Sequence, residues 1–188
     1  MKKILRIAFA LFLVCFVSVG ALAGVEYLTR AKIADNAEKE LNEALGALMP
    51  DAAGYEEVTK STDTAGFNAS GQFEQTEITR VFEAKNAQGE IEGYVFVVET
   101  QGYAGVIGLR VGVKSDGAVS GVVIGESSET PGLGARASEP EWLGQFSGRQ
   151  APFSLDNIDA ITSATYTSRY VIRGVNAACA FMKEMKAA

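Results

Sequence analysis

An uncharged run of nineteen residues, 7–25, follows Lys2, Lys3 and Arg6 at the start of the chain. As a helix rising about 1.5 Å per residue it would span roughly 28 Å, close to the thickness of a bilayer core. Two readings compete. Ala21-Leu22-Ala23 fits the small-x-small pattern of a cleaved signal peptide. The run exceeds the roughly 7–15 residues of a signal peptide's apolar core, and it continues into a helical pattern without a break. Length therefore favours an uncleaved anchor over residues 1–28. Val14 stands before Cys15 where a lipoprotein signal would place a small residue. In both readings the basic residues stay in the cytoplasm and the rest of the chain is exported. The expectation is a single-pass protein of the cell (inner) membrane, its N-terminus cytoplasmic and its bulk extracytoplasmic. Gly20, Ala21 and Gly24 either admit a neighbouring helix or are merely tolerated.

Past the anchor, composition narrows the chemistry. Hydrophobic residues make up 47% and charged residues 21%, enough to bury a core. The net charge of -6, with no basic stretch, argues against a nucleic-acid partner. Histidine is absent, which removes Ser-His-Asp and Cys-His nucleophiles and any His-ligated metal. No metal site is expected. Cys15 and Cys179 form no CxxC spacing and are read as small apolar fillers rather than a disulfide.

Residues 30–48 read as an amphipathic helix, with Ile33, Ala37, Leu41, Ala44, Leu45 and Leu48 at three- and four-residue steps. Pro50 ends it. Residues 29–50 are thus a stalk helix, or a solvated linker, ahead of one domain over 51–188. Residues 51–76 are polar and predict loops with one short strand at most. Strand patterns follow at 78–85, 93–100, 107–113 and 118–125. Gly89 lies in the first intervening turn, and Asp116-Gly117 is a strong hairpin signal. Residues 126–160 hold Pro131, Pro140, Pro152 and the single Trp142, and predict a long functional loop. A last helix is expected from about 168 to 186, with Val171, Ile172, Val175, Ala178, Cys179 and Met182 as its apolar stripe. The fold class is α+β: a mostly antiparallel sheet flanked by helices.

Five hydroxyl side chains besides Tyr166 crowd into residues 162–168, just before that helix. Thr167 or Ser168 would serve as N-cap. One hydroxyl suffices for a cap, and a helix N-terminus also favours a phosphate. The residues alone leave a phosphate-binding loop and a capped loop equally open.

The stretch Asp159-Ala160-Ile161-Thr162-Ser163-Ala164-Thr165 resembles the D-x-x-(S/T)-G-A-T motif of covalent FMN-binding domains, with Ser163 where Gly is usual. Two further segments resemble the same family in the same order. These are Gly102-Tyr103-Ala104-Gly105-Val106-Ile107 (GY-x-G-x-I) and Glu129-Thr130-Pro131-Gly132-Leu133-Gly134 (ETPGLG). The resemblance covers roughly residues 90–175. It implies FMN joined through its phosphate to Thr165 by an external flavin transferase that uses FAD and recognises Asp159, Thr162, Ala164 and Thr165. It also implies a ring site lined by Glu129, Thr130 and Leu133, with Tyr103, Thr162, Ser163 and Ala164 around the cofactor. Gly102, Gly105, Gly132 and Gly134 are read as turn or backbone-approach positions. Trp142 either stacks on the ring or anchors the loop. Arg169 either adds positive charge or is solvated.

With the anchor, stalk and length, the chain resembles the G subunits of Rnf-type ion-translocating oxidoreductases. This implies a redox relay among other membrane subunits, in a complex that passes electrons between ferredoxin and NAD. It would have no substrate turnover of its own. A C subunit-like protein of a sodium-pumping NADH:quinone oxidoreductase and a stand-alone exported flavinylated carrier are the alternatives. An exported phosphate- or peptide-binding module without a cofactor is a third.

Overall fold

The computed structural model describes residues 2–187 and divides into two compact units, 1–42 and 43–188. The first unit belongs to one long helix, α1 (Lys2–Leu48). Its apolar stretch has a mean hydropathy of 2.5 and buries none of its residues within the protein. Phe9, Phe12, Phe16 and Leu22 are each more than half exposed. Among the described residues this is the one helix long and apolar enough to cross a bilayer.

The second unit is built on a five-stranded antiparallel meander in the order β1-β2-β3-β4-β5. The strands are β1 (Gly54–Glu57), β2 (Thr76–Lys85), β3 (Ile91–Gln101), β4 (Val106–Lys114) and β5 (Val119–Ser127). Each expected strand is present, with its ends close to the expected ones. Two hairpin turns follow from their residues. Asn86 Oδ1 accepts from the Gln88 and Glu90 amides at 3.0 and 2.9 Å. Between β4 and β5, Asp116 Oδ1 accepts from the Ala118 amide at 2.9 Å, and Gly117 has φ of 90°.

Strand alternation creates the core face. Ile107, Leu109, Val111 and Val113 on β4 are fully buried. Across this face lies α4 (Thr165–Ala187), and all six residues of its expected stripe are buried. Val171, Ile172, Val175 and Met182 each contribute about 1.5–3 kcal/mol on leaving water. The Phe181 ring lies 4.8 Å from that of Phe67 and 6.1 Å from that of Phe96. At the start of this unit Ala44, Leu45, Leu48 and Met49 are buried, and the Tyr55 hydroxyl donates to the Met49 carbonyl at 2.8 Å.

Three segments depart from expectation. Residues 51–76 hold β1 and also a helix, α2 (Thr64–Ala69), capped by Asp63, whose Oδ1 accepts from the Gly66 amide at 2.8 Å. Six residues are too few to show a helical period. Residues 126–160 form a packed segment rather than an open loop. They contain 3-10 turns at Gly134–Ser138 and Gly144–Phe146 around a short helix, α3 (Pro140–Leu143). Phe146, Phe153 and Ile158 from this segment are buried. Finally, α4 starts at Thr165 rather than near 168.

Candidate functional site

The 159–168 stretch folds into a tight turn that runs directly into α4. The Ala164 amide donates to the Ile161 carbonyl at 2.9 Å. Ser163 takes up the turn with φ of 65°, the left-handed region where a side chain is strained. This explains physically why glycine suits the position. Ser168 closes the turn from within the helix: its hydroxyl accepts from the Ile161 amide and donates to the Ala164 carbonyl, each at 3.0 Å.

The capping expectation is therefore corrected. Thr167 and Ser168 are both buried helical residues, and neither is the N-cap. Thr165 is the first residue of α4, with an exposed side chain. Around it lie the first-turn amides, which have no intrahelical acceptor and favour a phosphate.

The three motif segments meet in one cavity of about 310 Å³, lined by Tyr103, Glu129, Thr130, Leu133, Gly134 and residues 163–167. Its rim is apolar and open: Tyr103, Leu133 and Tyr166 are 76%, 44% and 46% exposed. The Tyr103 ring meets Tyr166 edge-on at 6.0 Å, and the Tyr166 ring lies 4.7 Å from that of Tyr170. The Tyr166 hydroxyl donates to Tyr170 at 3.2 Å, and this bond holds the Tyr166 phenol above its ordinary titration range.

Glu129 is the buried polar centre of the cavity. One carboxylate oxygen accepts from the Ala104 amide at 2.9 Å and the other from the Thr167 hydroxyl at 2.7 Å. A Cβ at Gly102 or Gly134 would collide with this carboxylate, so their close approach is to Glu129. In the ETPGLG segment the Leu133 amide donates to the Thr130 carbonyl at 3.1 Å. Pro131 and Gly132 are the central residues of that turn, and Gly132 has φ of 77°, the requirement of a type II turn.

Not every candidate lines the cavity. The Gly105 carbonyl accepts from the Gly102 amide at 2.7 Å and shapes the Tyr103 loop. Gly132 and Thr162 are exposed turn residues beside the cavity wall. Trp142 is buried, stacks edge-on against Phe146 at 5.6 Å and donates from its indole to the Asp159 carbonyl at 2.7 Å. It anchors the Asp159 turn and is not part of the cavity wall. The Asp159 amide donates to Gln145 Oε1 at 2.8 Å, so its backbone is held at both ends while its carboxylate is exposed. Arg169 is exposed. Sequence reasoning did not assign Tyr166 and Thr167 to the site. The signal was their position one and two residues after the motif's final Thr.

An FMN-binding domain model matches residues 102–180, a span that includes every cavity residue. A model of the RnfG N-terminal region matches residues 1–48. The G subunit of the Na(+)-translocating ferredoxin:NAD(+) oxidoreductase complex of Acetobacterium woodii is 33% identical, over 93% of this chain and 89% of that one. The chain belongs to the family of G subunits of ion-translocating oxidoreductase complexes. The proton-translocating ferredoxin:NAD(+) counterpart of Clostridium ljungdahlii is 31% identical over 94% of this chain and 90% of that one. The G subunit from Methanosarcina acetivorans is 29% identical over 94% and 93%. Membership in this family makes the exposed apolar stretch of α1 a membrane anchor and the chain a redox subunit with an FMN-binding domain.

The cavity fits FMN on its own chemistry. Its open apolar and aromatic rim suits a flavin ring that must stay partly accessible. The first turn of α4 suits the phosphate, with a helix-terminus contribution of about 0.3–1 kcal/mol.

Proposed function

We propose that this chain is the electron-relay subunit of a membrane-bound, Rnf-type ferredoxin:NAD oxidoreductase complex, carrying FMN as a phosphoester on Thr165. The observation that carries this reading is the meeting of three separate motif segments in one cavity, with the exposed Thr165 hydroxyl at its helical end. FMN held there would supply a centre that takes up and passes on electrons. The protein's residues supply the rest. The first-turn amides of α4 would hold the phosphate, and Tyr103, Leu133 and Tyr166 would line the side of the ring. Glu129 locks the Ala104 loop to α4.

The link to Thr165 requires an external flavin transferase. A threonine hydroxyl is a weak nucleophile without a base, and the chain has no histidine. The one carboxylate in the cavity has both oxygens engaged by donors. The exposed Asp159 and Thr162, with the turn residue Ala164 and Thr165 itself, form the recognition segment. Covalent attachment retains the cofactor outside the cytoplasm, where no pool of free FMN replaces a lost one. On this reading 1–28 is a single-pass anchor with its N-terminus in the cytoplasm, 29–50 the stalk, and 51–188 the extracytoplasmic domain. The other membrane subunits of the complex are its electron partners.

The test is co-expression with a flavin transferase followed by denaturing electrophoresis. Flavin fluorescence should stay with the wild-type band and vanish in Thr165→Ala. A fluorescent Thr165→Ala band would reject the attachment site.

A further inference from the structure

Glu129 is more than a strut. It is 8% exposed, it lines the cavity, and both its oxygens accept hydrogen bonds, as those of an ionised carboxylate do. Both donors are neutral: a backbone amide and a hydroxyl. Among the described residues no Lys or Arg pairs with it. A buried charge without a cation is costly. The hydrogen bonds alone do not demand that cost. A glutamine carbonyl would accept from Ala104, and its amide would donate to Thr167, so an uncharged side chain of the same shape serves the latch equally well. Gly102 and Gly134 make room for the end of this side chain, because a Cβ at either would collide with its oxygens.

We infer that the Glu129 charge lowers the reduction potential of the group held in the cavity. The inference rests on the FMN reading above. Reduction adds electron density to a flavin ring. A fixed negative charge in a cavity partly shielded from water disfavours that form. The neutral latch holds the carboxylate in place without neutralising it.

The experiment uses the full-length chain, co-expressed with a flavin transferase and extracted in detergent. Wild type, Glu129→Gln and Glu129→Ala are titrated by spectroelectrochemistry, with covalent flavin and melting temperature measured on the same samples. Glu129→Gln should keep its covalent flavin and melt no lower than wild type while its midpoint potential shifts upward. Glu129→Ala, which loses both hydrogen bonds, should shift upward and also melt lower. An unchanged or lower midpoint in flavinylated Glu129→Gln overturns the inference. So does a Glu129→Gln protein that unfolds or takes up no flavin, because the carboxylate would then be needed for folding or loading. A wild-type chain without covalent flavin would overturn the attachment reading itself, a separate result read from the same gel.

Discussion

The Ser168 hydroxyl holds the Ile161 amide at 3.0 Å and returns a bond to the Ala164 carbonyl at the same distance. A buried helical side chain thus ties off the turn that presents Thr165. Ser168→Ala would leave the amide of Ile161, a residue only 4% exposed, without its acceptor. The expected cost is about 1–3 kcal/mol, read as a lower denaturation midpoint with an unchanged slope. An unchanged midpoint would mean that the turn holds without this bond.

Ser163 has φ of 65°. Glycine there would relieve strain of about 1 kcal/mol, partly offset by the greater freedom it brings to the unfolded chain. Ser163→Gly should stabilise by about 0.5 kcal/mol. Ser163→Val, a β-branched residue forced into the left-handed region, should destabilise by at least about 1 kcal/mol and reduce flavin incorporation. Thermal unfolding of the two variants checks the sign of each change.

Trp142 links α3 to the Asp159–Thr165 segment through the Asp159 carbonyl. Trp142→Phe would keep much of the ring packing on Phe146 and remove the bond. The expected loss is about 1 kcal/mol, with slower labelling of Thr165 because Asp159 is less firmly placed. Time courses of covalent fluorescence with limiting transferase measure this. Labelling at the wild-type rate would show that the tether does not matter to recognition.

The Cys179 thiol, on the buried face of α4, is pushed by that burial from an ordinary 9.0 up to about 11. Below pH 9 both folded and unfolded states keep the proton. As pH rises from 9 towards 11 the unfolded state loses it first, so stability falls through that window, by about 2 kcal/mol from this group. The melting temperature of wild type should drop more steeply between pH 9 and 11 than that of Cys179→Ala. Parallel curves would exclude the thiol as the cause. At neutral pH the native thiol should resist alkylation until the domain unfolds.

What the sequence made legible follows from local physics. The strands were readable because Gly89 and Asp116-Gly117 punctuate apolar runs, and α4 because its six apolar positions recur at helical spacing. The short α2 and the turns of 134–146 escaped because elements this brief carry no period, and their cohesion comes from distant partners. The start of α4 was misplaced for a related reason. Abundant hydroxyls suggested a cap at 167 or 168, whereas Ser168 bonds backwards to Ala164 and Thr167 reaches across to Glu129. The Thr167–Glu129 bond joins residues 38 positions apart, and no spacing rule exposes such a pair. The motif residues that line the cavity were visible because each motif is local. That Trp142 anchors the Asp159 turn rather than joining the cavity wall required the fold.

The central claim is that Thr165 carries FMN by a covalent bond. Peptide mass spectrometry of the membrane-extracted protein, made with its transferase, tests this most directly. The account predicts that the peptide spanning Asp159–Thr165 gains the mass of one phosphoester-linked FMN, with fragmentation locating it on Thr165. An unmodified peptide, or a flavin located on Thr162, Ser163 or Thr167, would contradict it.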